Sequence, residues 1–246
     1  SLNFWYRLKK FWALLGTDAE GLMNSGRAAE AEATRQLQAK HQATYAPMMK
    51  EGVTHCVRLA CYPPDIEDMD KSEKDDLRDQ RMDVFDTLGD CCEFLGAHTV
   101  LAQLWEGVGQ HYPALEQQGT WEGLEASLQC IKHMNKHLVT STEATAVLSQ
   151  VMNMLIHLQS TQCVGWLQAP RLRFVACDVI GVYADWLKQN PALLSPLFTI
   201  LYSELRNKEV AHGAAGAILD VCEKCAEHLG ANVLDMYDDM QAAPVG

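Results

Sequence analysis

Val84-Phe85-Asp86-Thr87-Leu88 sets two apolar residues four apart, one turn of helix, and the same spacing of small or branched apolar residues returns at Leu124/Leu128, Ala176/Ile180 and Ala214/Ile218. Successive units lie 40, 52 and 38 residues apart. A period of about 40 to 47 residues with two helices per unit is the mark of HEAT or armadillo arrays. The predicted fold class is therefore all-α: a HEAT-repeat α-solenoid, or alpha-alpha superhelix, of about ten helices in about five antiparallel pairs. Each pair carries more apolar surface than it can cover by itself, and stacking on its neighbours buries the remainder. No segment shows the sustained alternation of a β-strand.

Working outward from these units, the spacing predicts helices near 77–95, 98–111, 120–138, 142–158, 170–189, 191–206 and 209–229, with another starting at about Ala231. The 52-residue interval places its surplus in a loop from Gln159 to Pro170. Towards the amino terminus, apolar positions 4, 5, 8, 11, 12 and 15 form a first helix that Gly16 is expected to stop. Thr17 to Lys40 has no large apolar stripe and reads as a mobile insertion; a second helix follows from about Gln42 to Cys61. The organisation is thus a helix pair over 1–62 with an insertion at 17–40, an acidic linker over 63–76 opened by Pro63-Pro64, and tandem repeats over 77–246. The absent initiator Met and the ending at Gly246, just after a new helix begins, suggest an excised segment of a longer chain.

Charge and composition narrow the function classes. Thirty-two acidic against twenty basic side chains give a net charge of −12, which repels phosphate backbones and anionic membranes and favours basic partners. Neither direct nucleic-acid binding nor a membrane role is expected, and no apolar run approaches the ~20 residues of a membrane helix. The fragment is expected to be a monomer. Nine cysteines, odd in number and irregular in spacing, do not form a disulfide framework and point to a reduced compartment.

Three strings invite an enzymatic reading. Cys222-Glu-Lys-Cys225 with His228 offers thiolates and an imidazole at i, i+3 and i+6, but these positions drift around a helix and span about 9 Å, too far for one ion. His133 and His137 have the spacing of a zinc-protease helix, yet Met134 stands where that motif needs its Glu. Vicinal Cys91-Cys92 has no neighbouring base to stabilise a thiolate. Ordinary helix packing accounts for all three. Phosphate-binding glycine loops and the G-x-S-x-G elbow are missing, and Gly213-Ala-Ala-Gly216 reads as a place where two helices approach closely. Phe4, Trp5, Trp12, Trp121, Phe174, Trp186 and Phe198 are spaced as packing residues. No catalytic residue, metal site or cofactor is expected.

Particular residues add a family to the period. Ser1-Leu-Asn-Phe-Trp-Tyr-Arg-Leu8, Asp75-Asp-Leu-Arg-Asp-Gln-Arg-Met-Asp-Val-Phe-Asp86, Trp121-Glu122 with Leu124-Glu125-Ala126, and Asn190-Pro191 with Leu194 and Pro196-Leu197 stand in one order. That order resembles the middle of receptors in the importin-β (karyopherin-β) family, in the transportin-SR branch that imports serine/arginine-rich proteins and includes the yeast messenger-RNA transport receptor. The resemblance runs from Leu2 to about Tyr237. It implies a non-catalytic receptor that shuttles between cytoplasm and nucleus through the nuclear pore with protein cargo, Arg/Ser-rich cargo among it. It also implies Ran-GTP and Phe-Gly nucleoporins as partners of the whole receptor. In a HEAT solenoid the second helix of each pair lines the concave face, which makes Glu106, Glu143, Glu204, Asp238 and Asp239 candidates for facing basic cargo. A HEAT-repeat scaffold or adaptor of another multiprotein complex would share the period but not this order of residues.

Overall fold

The computed structural model describes residues 2–138 and 143–229. Among them are twelve α-helices and a single 3-10 turn, with no strand, as the periodicity requires. Contacts divide the chain into two units, residues 1–115 with 120–147 and residues 116–119 with 148–246. None of the described helices is long and apolar enough to cross a membrane.

In the first unit, α1 (Leu2–Asn24) and α2 (Ala28–Ala60) pack on one another and on α3 (Lys71–Leu95). The expected insertion at 17–40 is helix throughout, apart from the turn Ser25-Gly26-Arg27. Gly16 does not stop α1. A Cβ there would lie 2.8 Å from Nε2 of Gln38, an amide that donates to the Trp12 carbonyl at 3.1 Å, so this glycine admits a neighbouring side chain. The true stop is Gly26, whose φ of 79° suits a residue without Cβ. Arg27 N–H donates to Leu22 O at 2.9 Å and Gly26 N–H to Met23 O at 3.0 Å, the paired bonds of a Schellman cap. Burial in this segment rests on small residues: Ala19 and Ala31 are 1% and 0% exposed. Methyl-sized contacts bring two backbones together without any large apolar stripe to betray them.

The acidic linker is likewise shorter than 63–76. Its last six residues belong to α3, whose start is fixed by a capping box. The Asp70 carboxylate accepts from Glu73 N–H at 2.9 Å while the Glu73 carboxylate accepts from Asp70 N–H at 2.8 Å. Ile66 tucks into the protein from the middle of the remaining connector. Asp70→Ala is expected to cost about 1 kcal/mol, read as a lower midpoint in urea with an unchanged slope. The unit continues through α4 (Ala97–Gln118), α5 (Glu122–His133) and α6 (Asn135–Leu138). Val84, Leu88, Leu124 and Leu128 are all buried, at the register the repeat assigned them.

In the second unit, α7 (Thr145–Thr161) is followed by α8 (Val164–Leu167), α9 (Pro170–Val182), α10 (Ala184–Lys188), α11 (Leu194–Glu204) and α12 (Ala211–Leu229). The surplus at 159–170 is no open loop, because Trp166 on α8 is fully buried and its Nε1 donates to Gln159 Oε1 at 3.1 Å. Pro191 opens the 3-10 turn that leads into α11. α9 and α12 approach closely, and a Cβ on Gly181 would lie 2.9 Å from Cα of Ala217. Gly213 receives the Phe174 ring, whereas Gly216 faces open space, so the small residues of 213–216 serve different ends.

Of the seven aromatics expected in packing positions, Phe198 is buried, Phe4 is 46% exposed and the rest are half-buried. The interior uses Trp166, Phe94, Tyr183 and Phe85 instead.

Candidate interaction surface

On α3 the residues Asp83, Asp86, Asp90 and Glu93 recur at intervals of three and four, which sets four carboxylates along one stripe. Together with Tyr6, Lys136 and His137 they line a groove of about 550 Å³ in the first unit. Lys9 on α1 pairs with two of these carboxylates, its ammonium 2.7 Å from Asp90 and 3.0 Å from Glu93. Burial works to lower the Lys9 pKa, but the hydrogen bonds to Asp90 and Glu93 outweigh it and hold the group above its ordinary value. Asp83 and Asp86 are exposed and have no ion-pair partner among the described residues. Asp83 and Asp86 can accept guanidinium or ammonium groups from a partner. The sequence carried the signal in the 3-4-3 spacing, but it lay on a first helix of a pair, away from the helices expected to line the binding face.

The expected carboxylates are scattered. Glu106 is exposed on α4. Glu143 is 70% exposed and lies 3.3 Å from Nδ1 of His98. Glu204 is the correction: it is 3% exposed, lies 3.3 Å from Nη1 of Arg173, and offers nothing to a partner. Burial raises the Glu204 pKa, against the pull of Arg173. Its residue type suggested the surface, while a guanidinium 31 positions earlier makes burial tolerable. Asp238 and Asp239 lie outside the described residues.

The strings with enzymatic appearance are absorbed by packing. His133 and His137 fall on different helices, because α5 ends at His133 and α6 begins at Asn135. The His133 ring stacks on Phe85 at 4.0 Å between centroids, with Nδ1 2.9 Å from Gln129 O, and burial lowers its pKa. Cys225 donates its thiol to Ala184 O at 3.3 Å, at a kink in α12, while His228 lies beside Glu227. Among the described residues no three His, Cys, Asp or Glu side chains converge on a point where an ion would sit.

Burial pushes the Cys56 and Cys92 thiols up to about 12, and those of Cys91, Cys130 and Cys177 well above the ordinary range. Thiols so protonated do not attack disulfides. In the native chain Ellman's reagent is expected to label Cys61, Cys163 and Cys222 first, and the six buried cysteines only on unfolding. Fast native labelling of Cys91 or Cys92 would contradict this.

One interaction escaped the sequence reading. Arg81 on α3 places Nη2 2.8 Å from both carboxylate oxygens of Glu125 on α5, with the two side chains 6% and 1% exposed. The guanidinium also lies 4.0 Å from the centroid of the Tyr62 ring, and that ring meets Trp121 at 5.9 Å. Cation, carboxylate and aromatic faces join α3, α5 and the residues just after α2.

Comparison with known proteins extends over nearly the whole chain. Residues 145–237 match the family model described as the third TPR domain of Transportin-3/Importin-13. Importin-13 of Homo sapiens is 24% identical over 245 residues, covering 98% of this chain and 22% of its own length. Transportin MOS14 of Arabidopsis thaliana is 26% identical over 246 residues, covering 97% of this chain and 24% of its own. The mRNA transport regulator MTR10 of Saccharomyces cerevisiae is 23% identical over 166 residues, 65% of this chain and 16% of its own. The chain thus spans less than a quarter of the length of these relatives. A solved structure titled "Importin13 cytosolic state" superposes with a TM-score of 0.79 at 18% identity, over 96% of this chain and 24% of its own. That likeness shows the fold, a HEAT-type all-α helical repeat.

Proposed function

We propose that the chain belongs to the transportin-like branch of the importin-β family, is a segment of a nuclear transport receptor, and offers a surface to protein cargo without catalysis. The observation that carries this reading is the match to Importin-13 and Transportin MOS14 along 97–98% of the chain, with a helical-repeat fold to go with it. In the whole receptor, cargo would be carried through the nuclear pore between cytoplasm and nucleus under Ran-GTP control, with Phe-Gly nucleoporins as contacts along the way. The acidic stripe of Asp83, Asp86, Asp90 and Glu93 supports basic cargo, of which Arg/Ser-rich segments are one kind. Glu106 and Glu143 add exposed carboxylates elsewhere in the same unit.

The test uses the full-length protein that contains this segment. Immobilised Ran loaded with GTP is expected to retain it and Ran loaded with GDP to release it; equal retention on both would overturn the transport reading in favour of a scaffold of another class. For cargo, an Arg-rich peptide is expected to bind the full-length protein, and Asp83→Lys with Asp86→Lys to weaken that binding while thermal melting stays unchanged. Undiminished binding would remove the stripe from the cargo surface.

A further inference from the structure

A second groove, of about 710 Å³, runs in the first unit between one face of α2 and one face of α4. Its charge is opposite to that of the chain. Lys50 and Arg58 stand on the α2 wall and are exposed, and neither has an ion-pair partner among the described residues. In a chain with twelve more carboxylates than cations, Lys9, Arg81 and Arg173 all have close acidic partners. Glu106 is the single carboxylate among the residues that line the groove.

The floor has room for an apolar side chain. Between the two cations the α2 wall presents Thr54 and Val57, and α4 answers with Ala102 and Gly107. A Cβ on Gly107 would meet no atom within 4 Å. Gln103 ties the walls together, donating from Nε2 to Lys50 O at 2.7 Å and to Thr54 Oγ1 at 3.0 Å. Gln103 thus fixes the spacing of the two walls near Lys50 and Thr54.

We infer that this groove takes an extended peptide of the pattern acidic-x-apolar-x-acidic from a partner protein. The spacing follows from the two elements concerned. Lys50 and Arg58 are eight residues apart on a helix, about 12 Å along its axis. In an extended peptide, positions i and i+4 are about 13 Å apart, and i, i+2 and i+4 point to the same side. Carboxylates at the outer positions then meet the two cations, and the central side chain enters the space over Thr54, Ala102 and Gly107. Glu106 also lines the groove, and its charge disfavours a third carboxylate there, which favours an apolar residue at the middle position. This site is separate from the acidic stripe and independent of the transport reading, since a scaffold with the same groove would bind the same peptide.

Fluorescence anisotropy with the 246-residue chain tests the assignment. A labelled Glu-Ser-Leu-Ser-Glu peptide is expected to bind saturably, at least about fivefold tighter than Lys-Ser-Leu-Ser-Lys, and to weaken with added salt. Lys50→Glu combined with Arg58→Glu is expected to lower affinity for the acidic peptide by about tenfold or more and to reverse the preference. Both residues are exposed, so melting should be unchanged; if it is not, the milder Lys50→Met with Arg58→Met pair replaces them. Glu106→Gln is expected to admit a Glu-Ser-Glu-Ser-Glu peptide that the parent binds weakly. No saturable binding of the acidic peptide, equal binding of the basic one, or binding untouched by the paired substitutions would each overturn the inference.

Discussion

An Arg81→Met chain is expected to lose about 3–5 kcal/mol of stability in urea titration, because the substitution strands the Glu125 carboxylate in the interior. Glu125 is 0% exposed, and Arg81 Nη2 lies 2.8 Å from both of its oxygens. The loss is a large share of the roughly 5–15 kcal/mol that holds a typical domain together, so the variant should be partly unfolded near body temperature. Its double-variant companion separates two physical accounts. Arg81→Met with Glu125→Leu removes both charges, avoids their desolvation, and is expected to recover most of the loss. If the double variant loses the sum of the two single losses, the pair does not act as a unit. Arg81→Lys should also fail to rescue, since an ammonium cannot lie flat over the Tyr62 ring as the guanidinium does at 4.0 Å.

Leu128→Asp is expected to be at least as severe, with a loss on the order of 5 kcal/mol and collapse of the helical circular-dichroism transition to low temperature. Leu128 is 0% exposed on α5, flanked by the fully buried Leu124 and Ile131. The substitution forfeits the burial of three apolar carbons, Cγ and both Cδ, and introduces a carboxyl group that must either be protonated or remain charged without a partner. Below the pKa that burial imposes on the new carboxyl group, the damage should lessen, so melting temperature is expected to recover partly on acidification. Leu219→Asp serves as the contrast: this residue is 67% exposed, and the change should lie within about 0.5 kcal/mol of the parent. Equal melting of Leu128→Asp and the parent would show that the repeat register is wrong.

The places where sequence and structure part have a common cause. Thr17 to Lys40 lacks large apolar residues and so reads as unpacked, but α1 and α2 meet there through Ala19, Ala31 and the gap at Gly16. Hydrophobic periodicity weighs each residue by its own size, whereas close approach of two backbones needs residues with almost none. Glu204 reads as a surface carboxylate because its type is usually exposed; Arg173 makes its burial tolerable, as Arg81 does that of Glu125. The candidate site divides the same way. The stripe of Asp83, Asp86, Asp90 and Glu93 was written in helical spacing, but the groove it lines also needs Tyr6, Lys136 and His137 from other helices.

The sequence by itself determined the all-α class and the buried register of Val84, Leu88, Leu124, Leu128, Ala176 and Ile180, because a turn of helix and its apolar stripe are local and repeat every few residues. It also determined the family resemblance, through the order of several short strings. Only the tertiary structure decided that two of those strings meet. Arg81 belongs to the stretch Asp75 to Asp86 and Glu125 to Leu124-Glu125-Ala126, and 44 residues separate the partners. A buried charge is stable only beside its counter-charge, and which side chain supplies it depends on how the helices pack.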